Sequence, residues 1–252
     1  MPEEIRKNLY RVPVPLPGNP LKELNSYVIK GSDRTLVVDT GFRQEPCRRA
    51  LFAGLRELGV HPEETDVLLT HLHSDHTGLA PEIAGPNSKI FMSREDSRRL
   101  REFQRSANTH RTEEYTLQGF SLDETAFLRD SPMRKYNSVL PMDNTYVGEG
   151  DVLEYGGRRL RVIMTPGHTP GHICLYDPDA KVMFLGDHVL FDITPNITTW
   201  LGFSDPLGTY VHSLMDISIF DVRLPLPAHR GVSGTMAERV GKIIEHLSLI
   251  HI

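Results

Sequence analysis

Residues 70–78 read THLHSDHTG, placing three histidines and one aspartate within six positions directly after the apolar run Val67-Leu68-Leu69. A short apolar run followed abruptly by polar residues reads as a buried strand, here over residues 67–70, so the imidazoles fall at the strand's C-terminal edge. In open α/β sheets ligands bind at that edge. The chain is thereby constrained to a fold in which a sheet edge can gather further donors from distant loops.

The surrounding pattern supplies the rest of such a fold. Tyr27-Val28-Ile29 and Leu36-Val37-Val38 are strand-like and separated by the turn signal Gly31-Ser32-Asp33, while Cys47, Leu51, Leu55 and Leu58 recur at helical spacing up to Gly59. DVLEYGGRRLRVIM predicts a hairpin about Gly156-Gly157, and HICLYDPDAKVMFLGD a second about Asp177-Pro178-Asp179. TMAERVGKIIEHL places Met236, Val240, Ile243, Ile244 and Leu247 on one helical face. The proline-rich residues 13–20 are expected to form a surface loop near the site. From about residue 94 to 146 the strand pattern lapses, and SREDSRRLREFQRS begins what reads as a helical insertion in one domain spanning 1–252. The closing LSLIHI resembles translated adapter sequence, so the natural chain is expected to continue past about residue 246.

Acids and bases are interspersed, with 33 Asp and Glu against 28 Lys and Arg, so no basic face points to nucleic acid or an anionic membrane. Without an apolar leader or a run of about 18 apolar residues, a cytoplasmic protein without membrane contact is expected. Cys47 and Cys174 form no CxxC pair and read as small buried groups.

Imidazole nitrogens and carboxylate oxygens are what zinc favours, and a catalytic site leaves a position open for water. In an HxHxDH run, His71 and His73 can point to one metal while the turn aims Asp75 and His76 at a neighbour. Three more candidates follow apolar runs beside Gly or Pro: His168 in TPGHTPGH, Asp187 in FLGDH and His229 in LPAHRG. Asp39, in VVDTG, reads as a carboxylate orienting a histidine or a backbone amide. His172 and His188 are expected to support the cluster, and His110 to be solvated.

Together VVDTG, THLHSDHTG, TPGHTPGH, GDH and PAHRG, in this order along nearly the whole chain, resemble the metallo-β-lactamase superfamily in its glyoxalase II-like branch. The resemblance implies an α/β (α+β) fold, a four-layer αββα sandwich with the metals at one edge between the sheets. It also implies two divalent metal ions, zinc first and iron or manganese as alternatives: His71, His73 and His168 on one, Asp75, His76 and His229 on the other, Asp187 bridging.

Two such ions about 3.5–4 Å apart lower the pKa of a shared water toward about 7 and polarise the bond under attack. Asp75 is the expected catalytic carboxylate, directing the metal-bound hydroxide. No GxSxG elbow or P-loop competes for the role. An aspartate at 187, and not a cysteine, disfavours the antibiotic-cleaving branch, and His73, not glutamate, disfavours the diiron flavoproteins. The expected activity is hydrolysis of a small acyl compound, a thioester, ester or lactone. The alternatives are a phosphodiesterase or nuclease served by Arg94, Arg98, Arg99, Arg101 and Arg105, or a mononuclear iron persulfide dioxygenase at His71, His168 and Asp187. A small-molecule partner is expected, with the oligomeric state open. Phe191, Trp200 and Phe203 are candidates for an apolar wall, and Tyr136 or Tyr146 for an oxyanion donor.

Overall fold

The computed structural model describes residues 1–105, 115–117, 119–124 and 142–250. A first sheet of seven strands runs in chain order through β1 (Glu3–Arg6), β2 (Leu9–Pro15), β3 (Glu23–Lys30), β4 (Thr35–Val38), β5 (Thr65–Leu68), β6 (Ile90–Ser93) and β7 (Asn144–Val147). It is antiparallel from β1 to β4 and parallel from β4 to β7. The second sheet comprises β8 (Val152–Tyr155), β9 (Arg158–Met164), β10 (Ile173–Asp177), β11 (Val182–Gly186) and β12 (Leu224–Pro227), in spatial order β12-β11-β10-β9-β8. Helices are α1 (Glu45–Glu57), the single turns α2 (Ser74–Thr77) and α3 (Ala80–Ile83), α4 (Arg94–Arg105), α5 (Pro206–Ile217) and α6 (Met236–Ile250).

The alternation of side chains along each strand sorts the core into three layers. Leu36, Val38, Leu68 and Phe91 of the first sheet meet Val162, Ile173, Leu175, Val182 and Phe184 of the second. The intervening residues Val37, Val67 and Met92 face the other way, onto Cys47, Leu51 and Leu55 of α1 and Leu100 of α4. Cys174, Met183 and Leu185 likewise face Tyr210, Leu214 and Ile217 of α5 and Met236, Val240 and Ile243 of α6. Helix, sheet, sheet, helix is therefore the observed order, the expected αββα sandwich. Both cysteines are buried and unpaired. No described helix is long and apolar enough to cross a membrane.

Several local readings change. Residues 13–15 belong to β2 with Val14 fully buried, so the proline-rich stretch loops only from about residue 16. β5 ends at Leu68, because Thr70 N–H turns to Asp39 Oδ1 while Thr70 C=O accepts from Ile173 N–H in the other sheet. The ends of the supposed insertion belong to the sandwich. Asp96, Ser97, Arg99 and Leu100 of α4 are buried, and β7 closes the first sheet alongside β6. His110 and Tyr136 lie outside the described residues.

Candidate metal centre

The chain leaves β4 at Asp39, a non-glycine residue with φ of 59°, a region that aspartate tolerates better than most residues. Its two oxygens organise the next loop. Oδ1 accepts from Thr70 N–H at 2.9 Å, and Oδ2 accepts from the Thr70 hydroxyl and from His76 Nδ1, both at 2.8 Å. α2 then folds residues 74–77 back so that His76 N–H donates to His73 C=O, and Thr40 Oγ1 donates to His76 C=O. One turn thus carries His71, His73, Asp75 and His76 to one place.

The ends of β9, β11 and β12 supply the remainder from the second sheet. His71 Nε2 and His168 Nε2 lie 2.9 and 3.0 Å from His73 Nδ1. Asp75 Oδ2 is 3.8 Å from His76 Nε2 and 3.4 Å from His229 Nε2. Asp187 sits between, with Oδ1 at 3.6 Å from His76 Nε2 and 3.3 Å from His229 Nε2, and Oδ2 at 3.6 Å from His168 Nε2. Ligand atoms of His71, His73 and His168, of His71, His76 and Asp187, and of Asp75, His76 and His229 each fall within 4.8 Å of one another. Gly186 permits this approach of β11, since a Cβ there would lie 2.6 Å from His172 Nε2 and 2.9 Å from Thr70.

Hydrogen bonds on the outer nitrogens fix the tautomers. His168 Nδ1 meets Asn196 C=O at 2.6 Å and His229 Nδ1 meets Glu23 C=O at 2.8 Å; oxygens of this kind only accept, so both Nδ1 atoms carry the proton. Asp39 does the same for His76. The Thr70 hydroxyl spends its hydrogen on Asp39 and so accepts from His71 Nδ1 at 3.1 Å. Neutral, these four rings turn an Nε2 lone pair inward, the arrangement that metal-ligating histidines show. His76 Nε2, His229 Nε2 and Asp187 Oδ1 are buried with no hydrogen-bond partner in the protein. Converging lone pairs and orphaned buried acceptors are costly unless a cation completes them, and the nitrogen and carboxylate chemistry fits divalent ions.

Burial, aided by the charge of neighbouring imidazoles, holds His71 well below its usual pKa and takes His73 to about 3. Burial likewise lowers His168. For His76, burial is outweighed by Asp39, Asp187 and Asp75, and for His229 by Asp187 and Asp75, so both are raised. The carboxyls respond in the opposite sense. Burial opposes their ionisation, yet His76 and His229 bring Asp75 to about 2 and hold Asp187 well below the carboxylate range.

All seven side chains singled out by the sequence meet in this cluster. His172 stands behind it, its Nε2 accepting from Asp187 N–H at 3.1 Å, and His188 is buried between His172 and Tyr210. Trp200 lies 6.1 Å from the His73 ring, with Phe203 packed in the same apolar cluster. Phe191 instead packs into the α5 and α6 core. Tyr146 is on the exposed face of β7, bonded to Arg101 and covered by Arg94. Arg98 and Arg99 are tied to Glu95, and Arg98 also to Glu102, which occupies much of the proposed phosphate-binding face. Asp96 is the residue that sequence reasoning missed: wholly buried, its carboxyl raised to about 6 by burial, it accepts hydrogen bonds from both ligand-bearing loops.

Comparison with known proteins agrees with this architecture. The chain is 28% identical over 232 residues to the acyl-coenzyme A thioesterase MBLAC2 of Bos taurus, covering 87% of this chain and 76% of that protein. It is 26% identical over 254 residues to the lactamase-like protein nscB of Trichophyton equinum, spanning 96% of this chain but 58% of the relative. Among solved structures, the metallo-beta-lactamase family protein TTHA1429 from Thermus thermophilus superposes with a TM-score of 0.85 at 29% identity, covering 98% of this chain and 81% of its own. The profile of the metallo-beta-lactamase superfamily matches residues 22–229, and the chain belongs to that superfamily.

Proposed function

We propose that this chain is a binuclear metal-dependent hydrolase of the glyoxalase II-like branch that cleaves a small acyl compound, with a thioester as the first substrate to test. The observation that carries the reading is the convergence of inward-facing Nε2 lone pairs on His71, His76, His168 and His229 around Asp187. His71, His73 and His168 would hold one ion, Asp75, His76 and His229 the other, with Asp187 serving both. Zinc is the first expectation for such donors. When bound, paired divalent ions lower the pKa of water toward about 7 and polarise an acyl carbonyl.

The chain's own groups would do the rest. Asp75, with its pKa near 2, is ionised at neutral pH and can accept a hydrogen bond from the attacking water, fixing its direction. Asp39, Glu23 C=O and Asn196 C=O hold the imidazoles in one tautomer, so no reorganisation is needed on substrate arrival. Trp200 offers an apolar surface for an acyl chain beside His73. The thioesterase relative supports a thioester ahead of an ester or lactone. The engagement of Arg98 and Arg99 by acids of their own helix counts against phosphodiesters.

The test is turnover by the purified chain on matched acyl-CoA thioesters, lactones and phosphodiesters, alongside elemental analysis. Thioester cleavage that is lost on chelation is the expected result. Exclusive phosphodiester cleavage, or thioester cleavage unaffected by chelation, would overturn the reading.

A further inference from the structure

We propose that Asp96 is a positioning residue for the metal centre, fastening the loop that carries His71 and His73 to the loop that carries His168. The proposal rests on the metal-binding reading above and adds a residue that touches none of the seven donors. Asp96 lies in the first turn of α4 and is fully buried. Its Oδ2 accepts from Leu72 N–H at 3.0 Å and from the Thr169 hydroxyl at 2.6 Å, and its Oδ1 accepts from Gly171 N–H at 2.7 Å.

The placement of these donors explains the role. Leu72 lies between His71 and His73 in sequence, and Thr169 directly follows His168. One carboxylate therefore grips each loop one residue away from a donor, and on the far side of that grip the three nitrogens meet at 2.9 and 3.0 Å. The second loop is pressed close onto α4. A Cβ on Gly171 would collide with Ser93 Oγ and come within 2.6 Å of Asp96 N and 2.7 Å of Oδ1, so this approach admits only glycine. Asp39 fastens His76 directly and reaches His71 only through the Thr70 hydroxyl, whereas Asp96 holds the backbone or the side chain next to His71, His73 and His168.

Asparagine is nearly isosteric but cannot replace this carboxylate. Its NH2 would face Gly171 N–H in one orientation and Leu72 N–H in the other, donor against donor. The test is cobalt(II) titration of the full chain after chelation, read by visible absorption, with circular dichroism as the check on folding. Wild-type chain is expected to take up two ions. Asp96→Asn should bind one as tightly as wild type and the other about 10–100-fold more weakly, with the absorption changed at that site alone. Thr169→Val, which removes one donor and leaves Asp96 in place, should weaken the same ion by about 10-fold and leave the other unchanged.

A folded Asp96→Asn chain that binds both ions like wild type, or loses both equally, overturns the proposal. Should Asp96→Asn fail to fold, Thr169→Val decides: selective weakening supports the role, and wild-type binding overturns it. Wild-type chain that takes up no cobalt defeats the metal reading itself, and Asp96's role with it.

Discussion

On one side of the cluster His71, His73 and His168 face one another, with Asp187 at 3.6 Å from His168 and Asp75 acting on the rings from farther off. On the other, His76 and His229 lie among Asp39, Asp75 and Asp187. Four of these imidazoles are buried and His73 is partly exposed at the same sandwich edge, yet His71, His73 and His168 are pushed below the usual pKa while His76 and His229 are raised above it. Burial acts in the same direction throughout, so the carboxylates decide the sign. In the metal-free protein, protons therefore compete for the inward nitrogens of His76 and His229 more strongly than for those of His71, His73 and His168.

Breaking the element shared by the two sides should have the largest effect. Asp187→Ala removes the acid that faces both triads; loss of both ions in elemental analysis and a fall of about 10³-fold or more in turnover are expected, several kcal/mol of transition-state stabilisation. Separating the two sides comes next. His73→Ala and His229→Ala should each leave one ion per chain, on opposite triads, with cobalt spectra that differ from each other and sum to that of wild type.

Proton competition sharpens the same contrast. A cation must displace protons from His76 and His229, so affinity at the acid-rich triad falls as pH falls below their raised pKa, by about tenfold per unit for each proton displaced. His73, with a pKa near 3, imposes no such competition near neutrality. Titrations at pH 8 and pH 6 should show one ion weakening far more than the other. Folding stability of the metal-free chain follows the matching signs. His73 favours unfolding as pH drops from about 6.5 toward 3, whereas the contributions of His76 and His229 are present below about 6.5 and lost as pH rises through their raised values. The smallest effect is reserved for Tyr155, whose hydroxyl donates to Asp66 at 2.6 Å beside the Arg34 pair. Tyr155→Phe should lower the melting temperature by about 2–4 °C, the loss of about one hydrogen bond, and leave metal content unchanged.

What could be read from the sequence tracks how local its cause is. The donors His71, His73, Asp75 and His76 sit on one turn, and His168, Asp187 and His229 each follow a strand-like run, so strand ends marked them as candidates and the family resemblance set them around two ions. Asp96 escaped notice because its helix is dense in charge. Asp96, Arg99, Leu100 and Phe103 do share an i, i+3, i+4, i+7 face, but two of the four are polar, and hydrophobic periodicity does not register a buried face of that composition. Residues 13–15 misled for a related reason, since prolines signal turns and yet Val14 points into the core from β2. Whether an aromatic following Asp187 packs or lines the site was equally hidden: Phe191 faces α5 and α6, and Trp200 faces His73.

The most direct test is to count the ions in the purified full chain and follow acyl-CoA thioester cleavage before and after their removal. Two divalent ions per chain, loss of cleavage on chelation and its recovery when zinc is restored are the expected result. Undiminished cleavage by chain shown to be metal-free would contradict the central claim that these seven side chains act by holding a pair of cations.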